Sequence, residues 1–595
     1  MSKYTTLVNI LDRIREEAAT TRYETRYNPP PGDSERINHA RSRAFIHLFL
    51  KVNFGLVDFA EREDFITDGS YDGGIDGYYI DSEARTIFFL QSKFRTTEAN
   101  FETKKISLEE ILVMDIDRIL NGESTDENGN EYNGKILRMV REIREIADIG
   151  RYSYRVIILA NLDDWSQERL RKLTGGFPVS VCDHEHAYEK LVFPVVAGTY
   201  FNASDLVIYV ELSNKSAGSK ISYTVQTKHH ECEITVLFAP IAEVARLMGR
   251  YKNSILKHNP RSYIELYGAK VNAAIRETIL STTGNEFALL NNGITILSDE
   301  TSINERIGQR NKAQLHLRNP QVINGGQTAY TLAIVYDECV ANGALEHFDN
   351  KEVLVKVITL IGECSEDPER LDLIEQISTA TNQQTAVTNA DRKSNDRIQL
   401  EIQKVVFDRY GLLYERKAGE FGDGRQNGYI TSDQIVDRNV FLRIYFTISG
   451  DFSHKSLRRA FARFTRFDEI TNDLAALDKF YWGYRCYTEL RKRDERAGRS
   501  AQRLLMGKVY AAVRTTMPPN VGDLNIDVRK MMREFEDKWA EFILHVARTN
   551  TKWIRTYKDR ATGQTRTDFY EKGWRDSGDF VEDVKAYFGQ PKQEQ

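Results

Sequence analysis

Asp76, Gln91 and Lys93 are the residues of this 595-residue chain whose types and spacing could do chemistry together. They lie in the stretch Asp72-Gly-Gly-Ile-Asp76-Gly-Tyr-Tyr-Ile-Asp-Ser-Glu-Ala-Arg-Thr-Ile-Phe-Phe-Leu-Gln91-Ser-Lys93. A carboxylate can hold a divalent cation, the cation polarises a phosphate and lowers the pKa of a bound water, and a nearby ammonium steadies the developing charge. The trio therefore suits phosphodiester cleavage. Mg²⁺ (or Mn²⁺) is the expected ion, because it prefers oxygen ligands and commonly needs only one or two protein carboxylates. Gln91 contributes a neutral carbonyl.

A β-hairpin must position these groups. Residues 78–80 and 86–90 are rich in β-branched and aromatic types, and the polar residues 81–85 supply a turn. If Glu83 and Ala84 centre that turn, paired residue numbers sum to 167, which sets Asp76 opposite Gln91 with Cβ atoms roughly 5 Å apart. Lys93 lies two residues further along the same strand and so on the same face. An ordinary half-exposed hairpin with solvated polar ends has the same spacing.

Asp-Gly-Gly-Ile-Asp followed by a strand ending Gln-Ser-Lys resembles the PD-(D/E)XK nuclease core in its Mrr-like form, where Gln often replaces the middle acid. The resemblance implies that Asp76 is the metal ligand, Gln91 the second-strand contribution and Lys93 the catalytic lysine. It also implies a further acid on the preceding helix. The helix predicted over residues 34–53 offers Glu35 near its start, and Glu61 and Glu63 follow it.

The length predicts about three domains, since one hydrophobic core seldom organises so long a chain. With 41% hydrophobic and 28% charged residues, and no apolar run approaching roughly 18 residues, the composition is that of an ordinary non-membrane protein. The first residues lack an export signal, so the cytoplasm is the expected compartment. Cys182, Cys232, Cys339, Cys364 and Cys486 show no CxxC spacing and read as small core residues. Net charge is −5, unevenly spread: from Asp451 onward 29 Lys and Arg face 22 Asp and Glu, which makes the C-terminal part the expected nucleic-acid surface.

Helices predicted over residues 5–20, 34–53, 108–121 and 134–148 alternate with the hairpin and with the apolar run 154–160, which reads as a strand buried on both faces. This predicts an α/β, restriction-endonuclease-like domain over residues 1–200. Strand-like stretches follow at 206–212 and 222–238.

From about residue 240 four polar motifs sit in apolar surroundings: Asn259-Pro-Arg261, Leu290-Asn-Asn-Gly-Ile-Thr-Ile296, Asn319-Pro-Gln-Val-Ile-Asn-Gly-Gly-Gln-Thr328 and Ala380-Thr-Asn-Gln-Gln-Thr385. Together, in this order, and with Tyr414-Glu-Arg-Lys-Ala-Gly-Glu-Phe421, they resemble the abortive infection phage resistance (AIPR) family over residues 234–428. That family is associated with bacterial defence against phage, and some members carry an N-terminal nuclease-like segment. Glycine lets uncharged amides approach a ligand closely, and the motif ending at Thr328 precedes a helix predicted over 329–342, whose N-terminus would offer N–H groups to an anion. Asn291, Asn292, Asn324, Gln327, Thr328, Asn382 and Gln383 are the candidate ligand or nucleic-acid contacts. The same amides could instead cap turns and satisfy buried backbone.

Residues 431–595 read as a helical, basic region. Leu457, Phe461 and Phe464 recur at helical spacing with Arg458, Arg459, Arg463 and Arg466 around them, a basic amphipathic helix suited to phosphate contacts or to a solvated face. Trp539, Trp553 and Trp574 read as packing residues. No GxxxxGK[ST] loop, His-Glu-x-x-His site or Gly-x-Ser-x-Gly elbow occurs, and His184-x-His186 and His229-His230-x-Cys232 lack partners at zinc spacing.

The overall expectation is a mixed α/β (α+β) protein with a nuclease-like domain at 1–200, an AIPR domain at 201–430 and the helical region beyond. It would be a cytoplasmic, Mg²⁺-dependent endodeoxyribonuclease of antiviral defence, answering to a phage-derived trigger and contacting no membrane. A duplex has two strands and one chain carries one such site, so DNA duplex cleavage favours a homodimer. The alternatives are a ribonuclease causing abortive infection, and a sensor or binding protein with an inactive nuclease fold.

Overall fold

The hairpin forms in the predicted register. Strands β1 (Gly77–Asp81) and β2 (Thr86–Ser92) pair antiparallel, with Gly77 opposite Leu90 and Asp81 opposite Thr86, so that each pair sums to 167. The turn is closed by the Ala84 N–H, which donates to Asp81 Oδ1 at 2.8 Å, and by Arg85 at φ 48°. The chain is seen in a computed structural model that describes residues 2–82, 84–107, 114–174, 176–200, 205–211, 221–227, 231–259, 270–281, 284–305, 312–361, 368–381, 397–451, 473–496, 502–523, 526–558 and 564–589. Helices and strands are mixed along it, and it divides into two compact units, Met1–Ala386 with Gly419–Ser432 and Val387–Ala418 with Asp433–Gln595.

In the first unit, β3 (Ser153–Leu159) and β4 (Val179–Val181) continue the hairpin into one sheet of order β1-β2-β3-β4, with β2, β3 and β4 parallel. Parallel neighbours need a crossover, and the helix Gly134–Glu145 lies within it. Its Ile136, Met139, Val140 and Ile143 recur at helical spacing and pack on Ile87, Phe89, Val156 and Ile158. The opposite face is covered by the helix Ser34–Phe54, which ends with Phe54 stacked on Tyr79 at 4.2 Å and tilted over Phe88 at 4.9 Å. Asp33 caps this helix by accepting from the Arg36 N–H, and Gly55, in the left-handed region, stops it. The apolar run at 154–160 is buried only from Val156 onward; Tyr154 is half-buried beside Phe89 and Phe177, and Arg155 is exposed.

The same unit continues with β5 (Asp205–Glu211), β6 (Ile221–Gln226), β7 (Glu231–Pro240), β8 (Ile294–Ser298), β9 (Glu300–Asn304), β10 (Lys312–Arg318), β11 (Gln321–Asn324) and β12 (Glu352–Ile361). They form a five-stranded sheet, β11-β8-β12-β7-β6, and a three-stranded one, β5-β10-β9. The stretch expected to be one strand over 222–238 is two, β6 and β7, folded back antiparallel with Gln226 opposite Glu231. β6 alternates Ile221, Tyr223 and Val225 with Ser222, Thr224 and Gln226 and is mostly exposed, whereas β7 carries the apolar residues that enter the core. The helices Ile241–Tyr251 and Gly326–Asn342 bury Val244, Met248, Ala329 and Ala333 in the core with the inner residues of these strands.

The second unit is mainly helical. Arg397–Tyr410, Arg438–Ile448, Leu474–Arg496, Gln502–Thr516, Val528–Thr549 and Asp579–Phe588 enclose an aromatic core that includes Trp482, Trp539 and Trp574, with Trp553 packed at its edge. Two small sheets accompany the helices: β13 (Leu413–Glu415) with β14 (Ile435–Asp437), parallel, and β15 (Ile554–Lys558) with β16 (Thr565–Phe569), antiparallel. Among the described residues no helix is long and apolar enough to cross a membrane, and Cys182, Cys232, Cys339 and Cys486 are buried thiols. Cys364 lies outside the described residues.

Candidate active site

Asp76 stands where three backbone segments meet. Its N–H donates to Leu90 O at 2.9 Å, and its carbonyl accepts from the N–H groups of Thr67 and Asp68, each at 3.0 Å. Its Oδ2 accepts from the Ser92 N–H at 2.6 Å. The loop between Asp68 and Asp76 turns back through Tyr71, Gly73 and Gly74, all in the left-handed region. Asp72 Oδ1 accepts from the Gly74 N–H at 2.9 Å and Oδ2 from the Gly69 N–H at 3.0 Å, which fixes its side chain within the loop.

This turn gathers three carboxylates. Asp68, Asp72 and Asp76 each offer an oxygen, all within 4.8 Å of one another. Burial pushes the Asp76 carboxyl up to about 7; the Ser92 N–H opposes the rise, and the charges of Asp68 and Asp72 add to it. Burial likewise raises Asp72. Lys93 is exposed, and its positive charge reaches both Asp72 and Asp76, favouring their ionised forms. Gln91 is 3% exposed, and its Oε1 is buried with no hydrogen-bond partner. An amide oxygen left so in a buried position costs about 1–3 kcal/mol unless something accepts its lone pairs. The three carboxylates form an all-oxygen donor set that fits a hard divalent cation, and the orphaned carbonyl of Gln91 stands on the neighbouring strand β2.

Asp68 also has a partner of opposite charge. Arg43 Nε lies 2.7 Å from its Oδ2, an ion pair whose N–H is not aligned as a hydrogen bond, and Arg26 donates to its carbonyl at 3.2 Å. Beneath the loop, Lys135 donates to Ile66 O at 2.7 Å and to Glu63 Oε1 at 2.9 Å. Glu63 is fully buried and bonded to Tyr27 and His47. Burial would raise its carboxyl, but the His47 hydrogen bond and the Lys135 charge prevail and hold it at about 2.

Of the acids the sequence placed on or after the preceding helix, Glu35 is exposed in the first turn of Ser34–Phe54, Glu61 is in the first turn of Phe59–Asp64, and Glu63 serves the buried network. None belongs to the acidic group. Asp68 and Asp72 do, and sequence reasoning passed over both as ligands; the signal was the four-residue spacing 68, 72, 76 around three glycines.

The amide-rich motifs are largely occupied with the backbone. Asn291 Oδ1 accepts from the Gly293 N–H at 3.0 Å, and Asn291 Nδ2 donates to Thr328 Oγ1 at 3.3 Å. Asn324 Oδ1 accepts from the Gly325 N–H at 2.6 Å, while its Nδ2 donates to Thr381 O at 2.8 Å. Gly325 precedes the helix Gly326–Asn342 at φ 78°, and a Cβ there would stand 2.5 Å from Gly293 O. A Cβ on Gly293 would in turn meet Leu354 O at 2.6 Å, so both glycines serve close backbone packing. Asn292 is exposed and Gln327 half-buried. Asn382, Gln383, Arg458, Arg459 and Arg463 lie outside the described residues, as do Arg261, Arg466, His229 and His230.

No curated protein and no solved structure matches the chain. Residues 256–503 match the family model described as AIPR protein, a segment that begins after β7 and runs past Gly428 into the helical unit. That match supports AIPR family membership.

Proposed function

We propose that the chain is an effector of bacterial defence against phage that hydrolyses phosphodiester bonds of DNA, with Mg²⁺ or Mn²⁺ held by Asp76 and Asp72 beside Gln91. The AIPR match supports the defence role. The observation that carries the chemistry is Gln91 Oε1, buried and without a partner on the strand directly beside a group of three carboxylates.

A bound ion supplies Lewis acidity toward the phosphate and a water of lowered pKa. The residues do the rest. Asp76 is held by the Ser92 N–H in one orientation, so one carboxylate oxygen is committed and the other is available. Asp72 is preoriented by two backbone N–H groups. Lys93, exposed at the end of β2, has an ammonium free to reach a phosphate oxygen and favour the charge that grows there. Arg43 offsets the charge of Asp68, which leaves Asp72 and Asp76 as the acids that most need a cation. Duplex cleavage by one site per chain is met by a homodimer.

The test is cleavage of DNA and RNA side by side with Mg²⁺ by wild type, Asp76→Ala and Lys93→Ala, alongside protection of cells against phage. Both variants are expected to lose cleavage and protection while remaining cooperatively folded. A variant that cuts and protects normally removes its residue from the mechanism, and cleavage of RNA alone reassigns the substrate.

A further inference from the structure

Because β2, β3 and β4 run parallel, their carboxyl ends share one edge of the sheet, the usual place for ligands in open α/β sheets. A pocket of about 280 Å³, counting its open side, lies there. Lys93 comes to it from the end of β2, Asn161 from the end of β3 and His184 from the end of β4, while Arg95 and Lys104 close it. Its floor is apolar, with Phe45, Phe101 and Leu159.

The pocket's charges are unmatched. Among the described residues the side-chain nitrogens of Lys93, Arg95 and Lys104 make no ion pair or hydrogen bond, and Arg95 Nε is buried without a partner. The one carboxylate in the lining, Asp183, is occupied in accepting from the His186 N–H at 2.9 Å. Asn161 Nδ2 donates to Phe101 O at 2.7 Å, and its Oδ1 accepts from the backbone and ring of His184. The His184 Nδ1 therefore carries the proton toward Asn161, and Nε2 is left for a ligand.

We propose that this pocket takes the terminal phosphate of a nucleic-acid strand at its open side. Its cations suit the phosphomonoester, whose second negative charge an internal diester lacks. Lys93 is common to the pocket and to the proposed cleavage site, so a strand end seated here lies beside the acids. The nucleic-acid ligand rests on the nuclease reading, whereas the phosphate chemistry stands on the pocket's own residues.

The test is binding without catalysis. Full-length protein in EDTA is titrated with a fluorescent ten-nucleotide single strand bearing a 5′-phosphate, a 3′-phosphate or hydroxyl ends, with AMP and inorganic phosphate as competitors. Wild type is expected to prefer one phosphorylated end by about tenfold, the scale of a charged hydrogen bond. Arg95→Ala and Lys104→Ala should each erase that preference and leave both the hydroxyl-ended affinity and the melting temperature unchanged. Lys104 is exposed, so its variant folds even if Arg95→Ala does not. Competition by AMP at the same concentration as the strand supports the pocket but assigns it a free nucleotide. Equal affinity of wild type for all three ends, with no competition by AMP or phosphate, overturns the proposal. A preference kept in both variants does the same. Neither result depends on cleavage, so loss of the nuclease reading is seen separately.

Discussion

The Ser92 N–H donates to Asp76 Oδ2 at 2.6 Å, joining the end of β2 to the acid that precedes β1. The bond favours the carboxylate, yet burial and the acids at 68 and 72 outweigh it and hold Asp76 up at about 7.

A folded-state pKa above the unfolded one means that the fold binds the extra proton between about pH 4 and 7. Metal-free protein should therefore lose stability as pH rises through that window and level off above it. A shift of this size corresponds to on the order of 4 kcal/mol. In Asp76→Asn the slope should flatten, and the metal-free melting temperature at pH 8 should exceed that of wild type. Melting curves from pH 4 to 8 in EDTA check it, and an unchanged slope in the variant denies Asp76 the titration.

Mg²⁺ should raise the melting temperature of wild type, by about 2.7 kcal/mol of stability at one hundred times its dissociation constant. Since the ion displaces the Asp76 proton, affinity should weaken about fivefold from pH 7 to pH 6. Gln91→Glu gives the ion another charged oxygen, so it should bind Mg²⁺ more tightly and melt lower without it. Gln91→Leu removes the orphaned oxygen and should weaken binding while sparing metal-free stability. Calorimetric titration decides both; Mg²⁺ binding equal to wild type in Gln91→Leu excludes the amide as a ligand.

The buried Glu63 has its pKa depressed to about 2, so its stabilising contribution is complete above its usual range and is lost as pH falls toward 2. Removing Lys135 leaves that carboxylate short of a partner. Lys135→Ala should cost about 3–5 kcal/mol, the usual penalty for breaking a buried pair, and should weaken Mg²⁺ binding through the displaced loop. Lys135→Met, tested by urea unfolding, should be no better, because the charge and not the bulk is missing.

At Gly325 the left-handed backbone opposes any side chain, and so does the Gly293 carbonyl oxygen, 2.5 Å from where a methyl carbon would stand. Gly325→Ala should destabilise the first unit by about 1–3 kcal/mol or more, with urea unfolding as the readout. Asn292→Ala, at an exposed position, should not; a neutral Gly325→Ala would mean that the two backbones separate readily.

The hairpin was legible because a two-residue period fixes register once the turn is placed, and every pair from Gly77 to Asp81 follows. Helices with a capping residue and a glycine stop, such as Ser34–Phe54, were equally legible. The acidic group was not, since Asp68 and Asp72 sit on a loop with no period, and they reach Asp76 through left-handed turns and the Ile66–Gly77 bridge. Nor was the cationic pocket, whose residues 93, 95, 104 and 184 meet only because three strands run parallel. In the amide motifs the sequence showed that Asn291 and Asn324 were special, but only the fold reveals that their oxygens serve nearby glycine N–H groups.

The meeting of three segments at Asp76 has a bearing on how the protein comes apart. Amides of Thr67, Asp68, Asp76 and Ser92 all bond to or through this one residue, so none can exchange its hydrogen with solvent unless the hairpin edge and the preceding loop open as a single cooperative unit. The carboxylates thus survive any fraying of the chain ends, and they disappear together with the sheet that holds them.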